Sequence, residues 1–138
     1  MNWEYVSGFF DADGYITFTK PSKNTKKTIV FGFTNTKREI LDEIQNFILT
    51  KTKQKGFISE KKSKIESHSN SYDLKYTFLN KALLILPNIN SRHLKKTHRI
   101  NLTLTKLKQI TPRNGRYTDE ILNLRQQFEF DFFNPKVS

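Results

Sequence analysis

Trp3-Glu4-Tyr5-Val6-Ser7-Gly8-Phe9-Phe10-Asp11-Ala12-Asp13-Gly14 is the stretch from which the rest of the chain is read. It is a short helix that closes on two acids and a glycine. Trp3, Tyr5, Val6, Phe9 and Phe10 spread apolar surface over much of its circumference. Gly8 and Ala12 stand four residues apart, so they lie one above the other on one face. Two small residues at that spacing let another backbone come close. Gly14 is placed to stop the helix in a left-handed conformation. Asp13 then falls at the negative end of the helix macrodipole, an unfavourable position for a carboxylate that becomes sensible if a cation is bound.

The length of 138 residues suits a single domain spanning 1–138. Twelve Phe supply core-forming surface, and the absence of cysteine excludes disulfides and Cys-based zinc sites. His68, His93 and His98 show no metal-ligand spacing. With no signal peptide and no long apolar run, a soluble protein without a membrane partner is expected. The motif helix occupies the N-terminus and leaves no room for a targeting peptide. The net charge of +11 points to a polyanionic partner, against the blander reading of a generally solvated basic surface. Its uneven placement favours a binding face: Arg92 to Arg116 holds eight Lys or Arg and no acid, and Tyr15 to Arg38 holds six and no acid. Abundant Lys, Asn, Ile and Phe hint at an A+T-rich coding genome, which would suit synthesis in a mitochondrial or plastid matrix.

After the motif, Tyr15 to Lys20 alternates as a strand, Pro21 to Lys27 is a polar basic connector, and Thr28 to Thr34 is a second strand, together a hairpin. Lys37 to Thr50 is helical, with Ile40, Leu41, Ile44, Phe47 and Ile48 on one face, and Lys51 to Lys55 is a basic link. Gly56 to Lys62 and Tyr72 to Phe78 read as a second hairpin, Tyr72, Leu74, Tyr76 and Phe78 facing one way, with the Ser-rich segment Ser63 to Ser71 between. Asn80 to Leu86 is a short helix stopped by Pro87. Lys95 to Gln109 is another, with Ile100, Leu104 and Leu107 as its ridge. Thr118 caps a last helix whose apolar side is Ile121, Leu122, Leu124 and Phe128. The pattern leaves open whether Phe128, Phe130, Phe132 and Phe133 dock on the body or on a partner.

Val6-Ser7-Gly8-Phe9-Phe10-Asp11-Ala12-Asp13-Gly14 resembles the signature of the LAGLIDADG homing endonucleases. The glycine, the Asp-Ala-Asp-Gly ending and the upstream aromatic match; Val6-Ser7 stands for the usual Leu-Ala and Phe9-Phe10 for Leu-Ile. The order helix, hairpin, helix, hairpin, helices agrees with the αββαββα core of that α+β fold, whose antiparallel sheet forms a DNA-binding saddle. The resemblance extends over about the first hundred residues, and the last part fits loosely. A single motif implies half an enzyme, working as a homodimer.

The resemblance also implies roles. Motif helices of two copies would pack at Gly8, Ala12 and Tyr5. Asp13 would be the catalytic metal ligand, helped by the backbone carbonyl of Ala12, with Asp11 structural. The metal would be Mg²⁺, with Mn²⁺ able to substitute. Positions at the end of the second strand, the start of the next helix and the later lysine correspond to Asn35, to Lys37 or Arg38, and to Lys96, with Lys95 beside it. Asn35 replaces the glutamine often found there. For the lysines, plain phosphate contact is the competing reading. A two-stranded ribbon fits the major groove. The sheet face away from the helices would carry Thr17, Thr19, Thr34, Lys75 and Thr77, and the hairpin loops Lys20, Lys23, Asn24, Lys26, Lys27, Lys61, Lys62 and Lys64. The partner is then double-stranded DNA with a near-palindromic site. A chain of the same fold that served as a maturase would instead take RNA as its partner. A DNA-binding protein that does not cleave, and one half of a split heterodimeric endonuclease, also fit the motif and the order of elements.

Overall fold

The computed structural model of the chain describes residues 1–66 and 69–135, so His68 lies outside the described residues. The elements are α1 (Trp3–Asp13), β1 (Gly14–Thr19), β2 (Thr28–Asn35), α2 (Arg38–Thr52), β3 (Phe57–Lys61), β4 (Ser71–Thr77), α3 (Leu79–Ile85), α4 (Leu94–Lys106) and α5 (Asp119–Phe133). Short 3₁₀ turns follow α3 and α4, at Leu86–Asn88 and Leu107–Ile110. The strands form one antiparallel sheet in the order β1-β2-β4-β3.

Strand alternation sets the layers. Ile16 pairs with Phe31 and Phe31 with Tyr76, while Phe18 pairs with Ile29 and Phe33 with Leu74. These residues share one face and are buried beneath the helices with Val6 and Phe10 of α1, Leu41, Ile44 and Ile48 of α2, and Ile100 of α4. Phe31 stacks on Tyr76 at 5.3 Å between ring centroids, and Phe10 meets Phe33 edge-on at 5.7 Å. Such aromatic pairs add about 0.5–1.5 kcal/mol beyond the area they bury. The opposite, open sheet face bears Tyr15, Thr17, Thr19, Val30, Gly32, Thr34, Asp73, Lys75 and Thr77.

Side-chain caps open α1, α4 and α5, but not α2 or α3. Asn2 accepts from the Tyr5 N–H at 2.8 Å to open α1, and Thr118 accepts from Ile121 N at 3.2 Å to open α5.

The structure corrects several sequence expectations. Gly14 is not left-handed: at φ −92°, ψ 167° it already begins β1. What the position requires is space, since a Cβ there would lie 2.5 Å from both Phe10 Cδ1 and Phe10 O. The basic link after α2 begins later than its composition suggests. Lys51 and Thr52 remain helical, and Lys53, at φ 64°, makes the left-handed stop. Phe78 does not continue β4 on the face of Tyr76. It turns to φ 78° and lies half exposed at the start of α3. Regular α4 ends at Lys106 instead of reaching Gln109. On α5 the inward side is Arg125, Phe128 and Phe132, whereas Leu124 is half exposed.

The aromatic tail divides between core and solvent. Phe128 meets Phe18 edge-on at 5.0 Å, and Phe132 is fully buried. Phe130 is 63 % exposed and Phe133 also faces outward.

Candidate functional site

The two acids that close α1 have different surroundings. Asp11 accepts from Ser91 Oγ and, at 2.8 Å, from the Arg92 N–H, which ties the α1 end to the segment leading into α4. Ser7, one turn earlier, is buried and accepts from Asn90 N at 2.9 Å, reinforcing the same junction. Asp13 is exposed and has one weak contact, Asn35 Nδ2 at 3.5 Å. Among the described residues no Lys, Arg or His nitrogen lies within ion-pair distance of it.

Asn35 is held from its other end. Its Oδ1 accepts from the Lys37 N–H at 2.9 Å, so its amide donors are left for Asp13. Lys37 is the residue before α2, with an exposed side chain, and Arg38 lies 3.8 Å from Asp42 in an exposed pair one turn along the helix.

Lys96 is the cation that approaches this end of α1. Its ammonium donates to the carbonyls of Phe10 and Asp11, both at 2.9 Å, and sits 5.5 Å from the centre of the Phe10 ring. The Phe10 carbonyl also accepts from the Gly14 N–H, whereas the Asp11 carbonyl lies in the last turn, where helical donors run out. Burial pushes the Lys96 ammonium down from its ordinary pKa, and the charges of Asp11 and Asp13 pull it back up. Lys95, its neighbour on α4, points to solvent.

Tyr5, Gly8 and Ala12 all lie on the uncovered side of α1, and nothing comes within 4 Å of a Cβ built on Gly8. A groove of about 470 Å³ runs beside them, lined by Trp3, Glu4, Ser7, Gly8 and Arg92 among others.

The register places Thr17, Thr19, Thr34, Lys75 and Thr77 together on the open sheet face. Lys61 joins that face at the end of β3 instead of belonging to a loop. Lys62 and Lys64 follow it, exposed, in the β3–β4 segment, and Lys20, Lys23, Asn24, Lys26 and Lys27 are exposed in the β1–β2 loop. Two of these lysines already have partners. Lys27 pairs with Glu129 at 2.5 Å, and Lys26 lies 5.2 Å above the Tyr117 ring.

The open face also carries features that the sequence pattern does not single out. Tyr15 Oη donates across the sheet to both carboxylate oxygens of Asp73, at 2.9 and 3.0 Å. The bond passes over Gly32, and Asp73 is only 2 % exposed although it lies on this face. Burial, then the neighbouring Asp73 charge, raises the Tyr15 hydroxyl far above its ordinary pKa. Strand alternation assigns Tyr15 to this face, but no local signal links it to a residue 58 positions away. Phe57 on β3 is 70 % exposed on the same face, opposite Lys75.

A divalent cation would find hard oxygen donors at the α1 end: the free Asp13 carboxylate and the Ala12 carbonyl, which is among those lacking a helical partner. The donor type fits Mg²⁺, but the number is small. No cluster of three His, Cys, Asp or Glu suited to a metal occurs among the described residues. No helix among them is long and apolar enough to cross a membrane.

The model of the LAGLIDADG-like domain family matches residues 2–123, further than the first hundred residues that the sequence pattern supports. A search of curated proteins found no match. Among solved structures, the chain is similar to the LAGLIDADG homing endonuclease I-GzeII in complex with its DNA target, with a TM-score of 0.64 and 18% identity. That match covers 100% of this chain but 46% of the I-GzeII chain, so this chain spans under half that length. It is also similar to the homing endonuclease I-CvuI in complex with its target in the presence of Ca, with a TM-score of 0.63 and 14% identity, covering 99% of this chain and 83% of that one. A second I-CvuI structure, with the I-CreI target in the presence of Mg and the DNA not cleaved, gives a TM-score of 0.60 at 15% identity. At these identities the likeness carries the fold.

Proposed function

The chain belongs to the LAGLIDADG-like domain family, and from that premise we propose that it is a homing endonuclease, a homodimer that hydrolyses both strands of a near-palindromic DNA duplex. The observation that carries this reading is the contrast between two acids one residue apart. Asp11 is fully engaged in holding α4 to α1, whereas Asp13 projects into solvent at the negative end of a helix with one long contact. A carboxylate held there without a cation is costly for a merely structural helix and useful for a metal ligand.

Asp13 and the Ala12 carbonyl from each of two copies would hold the metal. A bound Mg²⁺ would offset phosphate charge, lower the pKa of the attacking water and stabilise the leaving oxygen. Asn35, fixed by the Lys37 N–H, would order water beside Asp13 through its amide. Lys96 would supply the Asp11 carbonyl with a donor and add positive potential at the scissile phosphate. The uncovered Tyr5, Gly8 and Ala12 face would meet its own copy about a two-fold axis. That arrangement supplies the second set of donors that one chain lacks. The open sheet face would enter the major groove, with Thr17, Thr34, Lys75 and Thr77 toward base edges and the loop lysines toward phosphates.

The test is selection from a random DNA duplex library, scored by cleavage in Mg²⁺ for the natural protein and for Asp13→Asn. The expected result is one long, roughly palindromic cut site for the natural protein, and binding of that site without cutting for Asp13→Asn. Binding by both proteins with no cutting by either would replace the nuclease with a binding or maturase role. A solution mass of one chain in the presence of the site would replace the homodimer with a split heterodimer.

A further inference from the structure

Three contacts from the C-terminal part of the chain converge on the β1–β2 loop, and a fourth meets the strand that leads into it. Arg125, on the inward side of α5 and 8 % exposed, donates through one guanidinium nitrogen to the Lys27 carbonyl. Through another it donates to the Ile110 carbonyl at 2.8 Å. One turn further along, Glu129 pairs with the Lys27 ammonium at 2.5 Å. Tyr117, just before α5, lies under Lys26 at 5.2 Å and beside the Arg125 guanidinium at 5.1 Å. Phe128 closes the base by packing on Phe18 of β1. The loop's own bonds are few and local, between Ser22 and Thr25. Its shape is therefore set largely by residues about a hundred positions later.

We infer that α5 is a positioning element for recognition, in which Arg125 and Glu129 hold the β1–β2 loop in the conformation that reads the outer part of each DNA half-site. This rests on the proposed endonuclease reading. Geometry gives the inference a location. The acidic end of α1 adjoins the first residue of β1, and six strand residues carry the chain to the loop. At ~3.3 Å per residue, the loop lies about 20 Å from Asp13. That is about six base pairs at ~3.4 Å each. Arg125 and Glu129 touch neither the acids of α1 nor the open sheet face, so neither belongs to the catalytic or base-reading set.

The experiment uses the full chain, with Glu129→Gln as the primary variant and Arg125→Lys as the second. Glu129 is partly exposed, so its substitution leaves the core intact. Lys keeps the charge of Arg125 but cannot span two carbonyls with one planar fork. Two readouts are taken. Amide hydrogen exchange in the free protein follows the loop at 22–27. Selection from the random duplex library, by binding and by cutting, gives the base preference at every position.

For Glu129→Gln, loop exchange should rise about two- to fivefold, as expected for one partly exposed ion pair. For Arg125→Lys it should rise about tenfold or more. Preference should fall at positions about six or more base pairs from the cut, while inner positions and the saturated cutting rate stay unchanged. Unchanged loop exchange in both variants would overturn the inference. So would faster exchange with base preference intact, because α5 would then be a brace without a role in recognition. A uniform loss across all positions, or a slower saturated cutting rate, would equally overturn it. Failure of the natural protein to select any site would overturn the endonuclease reading and the recognition role together, a result distinct from the others.

Discussion

Gly32 is the position at which a single methyl group should do the most damage to the open face. A Cβ there would lie 2.2 Å from the Leu74 carbonyl oxygen and 2.8 Å from Tyr15 Oη. The first of these is backbone in the neighbouring strand β4 and cannot swing aside. Gly32→Ala must therefore displace β4, push Tyr15 off Asp73, or do both. Overpacking of a close-packed site costs about 1–3 kcal/mol. A hydrogen bond to a charged group is worth about 1.5–3 kcal/mol. Together these give about 2.5–6 kcal/mol for Gly32→Ala. Tyr15→Phe removes only the hydroxyl and should cost about 1.5–3 kcal/mol. The double variant should cost less than the sum, because removing the hydroxyl also removes one of the two clashes. Urea unfolding followed by fluorescence of Trp3, the sole tryptophan, which packs against Phe47 at 5.0 Å, reads all three. A Gly32→Ala protein no less stable than Tyr15→Phe would refute the steric reasoning, and strict additivity would refute the coupling. Alkali gives an independent check. Tyr15 has a folded pKa raised above its unfolded value near 10, so its stabilisation is complete below about pH 10 and is lost as pH rises beyond that. Tyr76, raised by burial, acts in the same sense. Tyr15→Phe should therefore flatten the fall in stability above pH ~10 without abolishing it.

Gly8→Leu should leave the fold of one chain intact, since the position faces open space. Sedimentation velocity should show the loss of self-association, and a variant that still dimerises would remove Gly8 from the interface. Phe132→Ala, at a fully buried site, should cost about 3–5 kcal/mol in urea unfolding, whereas Phe130→Ala on the outward side should stay within ~0.5 kcal/mol. Equal effects would refute the assignment of the tail.

Much of the architecture was legible because its signals are periodic and local. Two alternating runs gave β1 and β2, a five-residue apolar stripe gave α2, and Thr118 with its two following acids gave the start of α5. The motif pointed to the two acids that close α1, and the structure gives Asp11 and Asp13 different surroundings. Signals fixed by distant partners were not legible. Arg125 reads as a surface cation on a helix, yet it is buried because the carbonyls of Lys27 and Ile110 come to it from elsewhere. Asp73 alternates as a solvent-facing residue, and its burial depends on the absence of a side chain at Gly32 and the reach of Tyr15. Phe78 fits the strand alternation, but the chain must leave the sheet there to begin α3. Gly14 shows the same limit at short range. A glycine after a helix usually signals a left-handed cap, whereas here the chain enters β1 directly and the missing Cβ clears Phe10.

The dependence of the β1–β2 loop on α5 also bears on how the protein is made. The hairpin leaves the ribosome before α5, since Arg125 and Glu129 follow Lys27 by 98 and 102 residues. At a synthesis rate of ~5–20 residues per second, that is an interval of roughly 5–20 s. Throughout it Phe18 lacks Phe128 and the loop lacks its anchors. A nascent chain in that interval presents an incompletely covered apolar edge, so crowded translation or a pause before α5 should favour aggregation. Truncations that remove α5 should accordingly fail in yield before they fail in activity.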